Sequence, residues 1–364
     1  MSAAPTGIAT GIGSLPGEEP REAMALIVDS LPELPHVPEL PARGPWADMV
    51  GRAAAVLVDV PIEWEGSRWL ATARVGRDTH RARAMLSEDL DAVEDRLQGY
   101  AGPAKLQICG PLTLAAVLEL RGGEAAVSDP VATTDLAASL AEGLTAHIHD
   151  LQRRVPGAEW VVQVDEPALS SVTAGAIPRA SGWGAIAAVP SVDAVRWLSE
   201  VTEAVEQTGA AVVLHSCATT PDWGVLTAGS GSGARAISFD LAAISLLEAA
   251  PVLEQWLDTG GSLWLGVDPV GSGVADGLEI AYARLVEVRS VLGVDPEHFA
   301  KVVAVTPPCG LGGSVDVAAA SYAGVRTLMR RLRGDSAFKD SAFKDSAFRD
   351  SASEDRAFDE TEGA

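Results

Sequence analysis

The sequence predicts an α/β fold, and within that class a (β/α)8 TIM barrel, from three observations. Its 364 residues, 47% of them hydrophobic, can bury one large core and fall within the range of about 200 to 400 residues typical of such barrels. Eight short β-rich runs alternate with amphipathic helical stretches. Several runs, including WVVQV and KVVAV, are almost continuously apolar, as expected of parallel strands covered on both faces. A doubly wound open sheet shares this alternation, but the count of eight favours the barrel.

The eight runs define the predicted strands and the extent of the domain. They cover residues 7–12, 55–60, 105–109, 160–164, 211–214, 235–239, 262–267 and 301–305. Between them, stretches such as residues 193–207 place apolar side chains three and four positions apart with charged side chains opposite, the pattern of helices that cover a sheet. We therefore expect one barrel domain over residues 1–333.

The composition changes after Arg333. A five-residue unit, Asp-Ser-Ala-Phe followed by Lys or Arg, occurs three times in succession. A period of five matches neither a helix face nor a strand face, and the stretch has too few apolar groups to offset the entropy lost on ordering. We expect residues 334–364 to form a disordered, acidic, low-complexity tail.

The charge and the cysteine content exclude several classes of function. Lys and Arg total 27 against 50 for Asp and Glu, a formal net charge of −23, which repels phosphate backbones and anionic lipid surfaces. No stretch approaches 18 consecutive apolar residues, and the start lacks a secretory signal pattern. Three cysteines do not resemble a disulfide framework. We expect a cytoplasmic protein that acts on small molecules, with neither nucleic acid nor membrane as a partner.

Four side chains near predicted strand ends indicate a metal site, because reactive groups of such barrels lie where the strands end. His215 and Cys217 follow the fifth run, and residues two apart on an extended segment point to the same side. Imidazole nitrogen and thiolate sulfur are preferred zinc ligands, and tetrahedral zinc takes two more. Cys309, after the eighth run, and Asp240, after the sixth, are the candidates for those positions.

Each of these residues also has an ordinary structural explanation. Buried cysteines often serve only as packing. Cys309 follows two prolines and precedes a glycine-rich run, so it can be part of a connecting loop. Asp240 can cap the helix predicted after it. The metal hypothesis is favoured because all four residues fall at strand ends together.

Two further motifs predict a substrate site beside the metal. A predicted buried strand that ends in VQV leads into Asp165 and Glu166. We expect Asp165 to face the barrel mouth and pair with a substrate ammonium group, and Glu166 to fix the neighbouring backbone; the alternative is two solvated loop acids. The turn around Gly13 and Ser14 has the glycines needed for a substrate to approach the backbone closely.

Together these motifs resemble the catalytic barrel of the cobalamin-independent methionine synthase family, from about residue 7 to residue 330. The resemblance is carried by IGSLP (residues 12–16), ADMV (47–50), GPLT (110–113), VQVDEPAL (162–169), HSC (215–217), ISFD (237–240), LGVD (265–268) and PCGL (308–311). Their order and spacing agree with those of the family. The short chain resembles its single-barrel members, which lack the second, N-terminal barrel.

The resemblance implies a zinc-dependent methyltransferase that methylates the thiol of homocysteine to form methionine. Zinc would be held by His215, Cys217, Cys309 and Asp240, the last in place of the family's usual glutamate. The amino group of homocysteine would lie near Asp165, which joins His215, Cys217 and Cys309 as a catalytic residue. The carboxylate of homocysteine would lie near the turn formed by Ile12, Gly13 and Ser14.

Departures from the family pattern leave the methyl donor and the acceptor open. Val117 stands where an aromatic residue would stack on a folate, and no histidine occurs near residues 268–273. Arg43 stands where a glutamate grips the amino acid, so Glu39 would have to replace it. The donor is therefore methyltetrahydrofolate or a methylcorrinoid, with a corrinoid protein as partner in the second case. The alternatives are a zinc alkyltransferase for another thiol, and a non-catalytic barrel that binds a partner or a tetrapyrrole.

Overall fold

A curled sheet of six parallel strands forms the centre of the computed structural model, which describes residues 3–231, 235–271 and 273–334. The sheet order is β3-β5-β6-β7-β8-β9, and each neighbouring pair is parallel. These strands are β3 (Gly102–Cys109), β5 (Ala158–Asp165), β6 (Ala211–Ser216), β7 (Arg235–Asp240), β8 (Ser262–Gly266) and β9 (Val303–Thr306). Apart from Gly334, the predicted tail lies outside the described residues.

Helices alternate with these strands, as the sequence predicts for an α/β fold. They are α1 (Pro20–Ser30), α2 (Met49–Val56), α3 (Arg77–Arg96), α4 (Pro111–Val117), α5 (Pro130–Arg154), α6 (Leu169–Thr173), α7 (Ser191–Gln207), α8 (Trp223–Ala228), α9 (Leu246–Asp258), α10 (Val274–Val291), α11 (Pro296–Val302) and α12 (Val315–Leu332). A small separate sheet contains β1 (Ile62–Glu65), β2 (Arg68–Ala71) and β4 (Leu118–Glu119). Within the described ranges, no helix combines the length and apolarity needed to cross a membrane.

The two faces of the central strands have different compositions. On β5, Val162 and Val164 belong to the large core shared with the helices. The alternate residue Val161 joins Val213 and Trp264 in a separate small apolar cluster, which lies on the opposite, inner face because successive side chains alternate. Further along the same inner face the residues become polar. The inner face therefore begins with this small apolar cluster, which includes Val161, Val213 and Trp264 and is called the plug below. It ends with polar groups at the carboxyl ends of the strands.

Two short segments border the two edges of this sheet. In the first, residues 7–15, Ala9 forms an isolated parallel bridge with Val305 of β9. In the second, residues 35–39, His36 forms a parallel bridge with Lys105 of β3. The two segments also bond to each other, since the Leu15 N–H donates to the Glu39 carbonyl at 2.8 Å. Neither is a regular strand, although the sequence predicts one at residues 7–12.

The predicted strand at residues 55–60 is wrong. The chain there forms the end of helix α2 and then an irregular connection. Asp48 caps the helix by accepting a hydrogen bond from the Gly51 N–H at 2.8 Å, and alanine, the best helix former, fills positions 53–55. A short apolar run fits a buried helix as well as a buried strand. The place beside β3 is taken instead by residues 35–39.

At the other end of the chain, helix α11 continues to Val302, so β9 begins two residues later than predicted.

Glu166 fixes helix α4 to the end of β5, as predicted for this residue. It is fully buried. Its carboxylate accepts hydrogen bonds from the Leu112 N–H at 2.9 Å and from the N–H and hydroxyl of Thr113 at 2.7 and 2.6 Å. The first backbone N–H groups of a helix have no partner inside the helix. The carboxylate supplies that partner and fixes the loop that follows β3.

Replacing Glu166 with alanine should destabilise the protein. Two buried backbone N–H groups would lose their acceptor, which is expected to lower the free energy of unfolding by about 2 to 3 kcal/mol. Urea denaturation measures the change. Glu159→Ala, at an exposed position of the same strand, is the matched control and should change stability by less than about 0.5 kcal/mol. Equal losses in the two variants would contradict this role of Glu166.

Candidate metal centre and substrate pocket

The structure brings His215, Cys217 and Cys309 together. His215 lies near the end of β6, Cys217 follows that strand, and Cys309 lies in the loop after β9. Their potential ligand atoms, one imidazole nitrogen and two sulfurs, all lie within 4.8 Å of one another. Three of the four predicted metal ligands therefore form one cluster, contributed by two separate parts of the sheet.

The orientation of His215 suits a metal ligand. Its Nδ1 lies 2.9 Å from the Ser238 hydroxyl oxygen on the neighbouring strand β7. Its Nε2 is buried and has no hydrogen-bond partner among the described residues. Histidine ligands of metals usually have one ring nitrogen held by a hydrogen bond while the other binds the metal. An imidazole nitrogen with two cysteine sulfurs is a ligand set that zinc prefers, so the residues present fit this ion.

The two thiols of the cluster have opposite pKa shifts. The pKa of Cys309 falls to about 4 because the Cys217 thiol and then His215 stabilise its thiolate. The pKa of Cys217 is raised, first by its hydrogen bond to Cys309 and then by burial. The arrangement thus favours the thiolate form of Cys309. Thiolate is the form in which cysteine binds metals.

Asp240, the fourth predicted ligand, is not part of the cluster. Its side-chain Oδ1 accepts a hydrogen bond from the Ala242 N–H at 2.8 Å, in the turn that follows β7. A short Asp side chain commonly bonds to the backbone two residues later, and this bond directs its carboxylate into the turn. Cys109 is also apart from the cluster, since it is fully buried in the large core.

A cavity of about 420 Å³ adjoins the cluster. It contains every residue predicted for the substrate site together with the three clustered residues. Its lining is Ile12, Gly13, Ser14, Glu39, Pro41, Met49, Gln107, Asp165, Pro167, His215, Cys217, Cys309, Gly310, Leu311 and Gly312. A larger groove of about 780 Å³, lined by residues of α2, α3 and α5, contains none of these groups.

Asp165 lies in this cavity at the end of β5, as predicted. It is only 6% exposed, and one carboxylate oxygen accepts a hydrogen bond from Gln163 Nε2 at 2.7 Å. Burial raises its pKa to about 6, against the opposing influence of His215 and Lys105. The carboxylate is therefore mostly ionised at neutral pH and can accept a hydrogen bond from an ammonium group.

Glu39 is a second buried carboxylate of the cavity. It is 5% exposed and accepts a hydrogen bond from the Ser14 hydroxyl. Burial raises its pKa to about 7, while Arg52 acts in the opposite direction. Arg43 does not enter the cavity and pairs with Asp89. Of the two residues considered from the sequence for this role, the cavity lining thus contains Glu39 and not Arg43.

A group of buried polar residues near the cavity was not predicted. Lys105 and Gln107 on β3 and Gln163 on β5 are almost completely buried. They bond to one another and to the segment at residues 7–15. A sequence signal existed, because each polar residue interrupts a strand that is otherwise apolar. Buried polar groups require hydrogen-bond partners, so such interruptions indicate an interior network.

Several solved structures are similar to the chain at low sequence identity, and the first of them shares its fold. A structure described as a B12-independent methionine synthase from Shewanella sp. W3-18-1 in complex with selenomethionine is 14% identical, with a TM-score of 0.58 over 91% of this chain and 98% of that chain. Methylaspartate ammonia lyase from Clostridium tetanomorphum has a TM-score of 0.42 at 12% identity, over 90% of this chain and 59% of that chain. A mannanase catalytic domain from Bacillus sp. JAMB-750 has a TM-score of 0.43 at 11% identity, over 91% of this chain and 93% of that chain.

Among curated proteins, no sequence matches the chain. The family described as "Cobalamin-independent synthase, Catalytic domain" matches residues 7–323. This range includes both strand ends that carry the clustered residues and both buried carboxylates of the cavity. The chain therefore belongs to the cobalamin-independent synthase family and contains its catalytic domain.

Proposed function

We propose that the chain is a zinc-dependent methyltransferase that methylates the thiol of homocysteine to form methionine. The observation that carries this proposal is the cluster of His215, Cys217 and Cys309 at the side of a cavity with two buried carboxylates. A zinc ion with sulfur and nitrogen ligands can activate a substrate thiol, and a buried carboxylate can pair with the ammonium group of an amino acid. Membership of the cobalamin-independent synthase family supports both parts.

We further propose that the sheet closes into an eight-stranded barrel and that residues 1–333 form one catalytic domain. The segments at residues 7–15 and 35–39 support closure, since each bonds to one edge of the six-stranded sheet and to the other segment. They would supply the two strands that the regular sheet lacks.

Three protein ligands would leave one position of a tetrahedral zinc ion for the substrate. Catalytic zinc sites commonly have this arrangement, and the engagement of Asp240 by its own turn is consistent with it. Bound zinc would favour the deprotonated form of a substrate thiol near neutral pH. Ser238 would keep His215 in the orientation that presents Nε2 to the ion.

The rest of the cavity would bind the amino-acid part of homocysteine. Asp165 and Glu39 would accept hydrogen bonds from its ammonium group, and the turn at Gly13 and Ser14 would approach its carboxylate. The Shewanella structure is described as a complex with selenomethionine, which supports an amino-acid site in this fold. The presence of Glu39 in the cavity favours an amino-acid thiol over other thiols. The protein groups thereby align the thiol for methyl transfer.

The donor would be methyltetrahydrofolate or a methylcorrinoid, the latter carried by a corrinoid protein. Val117, 40% exposed at the end of α4, offers no aromatic surface for a pterin. The test is to supply zinc-loaded protein and homocysteine with methylcobalamin and with methyltetrahydrofolate in parallel assays. Methionine should form with one of these donors. Absence of methionine with both donors, in a folded protein that retains zinc, would favour the non-catalytic alternative.

Zinc content distinguishes the clustered residues from Asp240. Purified protein should contain about one zinc per chain. Cys309→Ser and Cys217→Ser should each lose most of it on dialysis against a mild chelator, because each removes a thiolate ligand. Asp240→Asn is the matched control and should keep its zinc, as measured by elemental analysis. The assignment is wrong if Cys309→Ser keeps the metal or if Asp240→Asn loses it as readily as the cysteine variants.

Asp165→Asn should weaken the use of homocysteine. The amide is neutral and loses a charged hydrogen bond to the ammonium group, worth about 1.5 to 3 kcal/mol, so KM should rise about 10- to 100-fold. Zinc content should not change. Asp268→Asn, at an exposed position after β8, is the control and should behave as the wild type. An unchanged KM in Asp165→Asn would rule out the proposed contact.

Binding of the amino-acid product should weaken as the pH falls from 8 to 6. The pKa of Glu39 is raised to about 7 and that of Asp165 to about 6, so acidification protonates them and removes the negative charge that attracts an ammonium group. Calorimetric titration of zinc-loaded protein with L-methionine measures this effect. The matched ligand 4-(methylthio)butanoate has no amino group and should not show the decrease. An identical pH dependence for the two ligands would contradict the proposal.

A further inference from the structure

A buried ammonium group lies next to the substrate cavity. Lys105 of β3 is fully buried. Its Nζ donates hydrogen bonds to the Ile12 carbonyl at 2.8 Å, to Gln163 Oε1 at 2.9 Å and to Gln107 Oε1 at 3.3 Å. Three acceptors match the three protons of an ammonium group and favour the charged form, whereas burial lowers the pKa of Lys105 to about 7 against the opposing influence of Asp165 and Glu39. All three acceptors are neutral, and within the described residues Lys105 has no ion pair with a carboxylate closer than 4 Å.

Packing alone does not explain this lysine. Removing an ammonium group from water without an ion-pair partner is costly, and an apolar residue of similar volume is often as stable or more stable. The neighbouring inner positions show that the fold accepts apolar residues there, since Val161, Val213 and Trp264 form the plug. A function is therefore the better explanation for a buried charge at this position.

The lysine donates to the side-chain oxygens of two glutamine amides and stabilises the way they face. Gln163 directs Oε1 to Lys105 while its Nε2 donates to Asp165 Oδ1 at 2.7 Å and to the Ile12 carbonyl at 2.9 Å. An amide rotated by half a turn would direct its oxygen at the Asp165 carboxylate and at a carbonyl oxygen. Lys105 supplies the donor for Oε1 and so reinforces the orientation in which Gln163 holds Asp165.

Gln107 is oriented in the same way. Its Oε1 accepts from Lys105 while its Nε2 donates to the Val37 carbonyl at 2.8 Å. Val37 lies in the segment at residues 35–39, which ends with Glu39. Lys105 is thus connected, through two amides, to the Asp165 carboxylate and to the backbone of the segment that bears Glu39. Its third bond reaches the turn that precedes Gly13 and Ser14.

We propose that Lys105 is a positioning residue for the amino-acid part of the substrate. By fixing the amides of Gln163 and Gln107, it holds Asp165, the segment bearing Glu39 and the turn after Ile12 in the arrangement that an α-amino acid requires. This inference rests on the proposed function, which supplies the amino-acid substrate. It assigns Lys105 no contact with the thiol or with the three clustered residues.

The test compares two thiols that differ in the part Lys105 would serve. Homocysteine carries the ammonium and carboxylate groups, whereas propane-1-thiol has the same chain without them. Binding of each to zinc-loaded protein is measured by calorimetry for the wild type and for Lys105→Met, which keeps an unbranched side chain without charge. We expect Lys105→Met to bind homocysteine at least about tenfold more weakly and propane-1-thiol within about twofold of the wild type. Lys301→Met, at an exposed position, should match the wild type with both thiols.

A second variant tests the route of the effect. Gln163→Leu should weaken homocysteine binding while sparing propane-1-thiol. Because Lys105 would act partly through Gln163, the double variant should lose less than the product of the two single losses. If Lys105→Met does not fold, Gln163→Leu carries the same comparison between the two thiols.

The outcomes separate this inference from the proposed function. Wild-type protein that binds homocysteine no better than propane-1-thiol would contradict the proposed function itself. The positioning role of Lys105 alone would be overturned if the wild type prefers homocysteine and the variants keep that preference. The same conclusion would follow if the variants lose affinity for both thiols equally.

Discussion

The parallel register of the central sheet is the constraint on which the whole site depends. Pairing places Asp165 beside His215 and His215 beside Ser238 on three successive strands. Neighbouring strands lie about 4.8 Å apart, so a carboxylate, an imidazole and a hydroxyl come together without any contribution from loops. Cys309 comes from the loop after β9, which is the edge strand of the six-stranded sheet. A slip of one residue in β6 would direct His215 toward the helices.

Two adjacent acidic residues at the end of β5 have different surroundings. Asp165 faces the cavity, whereas Glu166 caps helix α4 from the opposite side of the chain. The apolar plug at the start of the inner face and the large core supply burial energy. They offset the cost of the polar network that contains Lys105 and two glutamines. Stability and chemistry therefore occupy opposite ends of the same strands.

The sequence predicted those parts of the fold and site that depend on local patterns. Continuous apolar runs located β5 to β8, and the positions at their ends located His215, Cys217 and Asp165. The prediction failed at residues 55–60, because a short apolar run does not distinguish a buried helix from a strand. Asp240 lies apart from the three clustered residues because its carboxylate bonds to the Ala242 N–H, a partner that spacing along the sequence does not show. Lys105 was missed because its partners are 58 and 93 residues away in the chain.

The central claim is that one imidazole nitrogen and two cysteine sulfurs hold a zinc ion with a position free for the substrate thiol. X-ray absorption at the zinc edge of the zinc-loaded protein tests it most directly. The spectrum should show one histidine nitrogen at about 2.0–2.1 Å and two sulfurs at about 2.3 Å, with a third sulfur after homocysteine is added. A zinc ion surrounded only by oxygen and nitrogen, or a sulfur number that homocysteine does not change, would contradict the account.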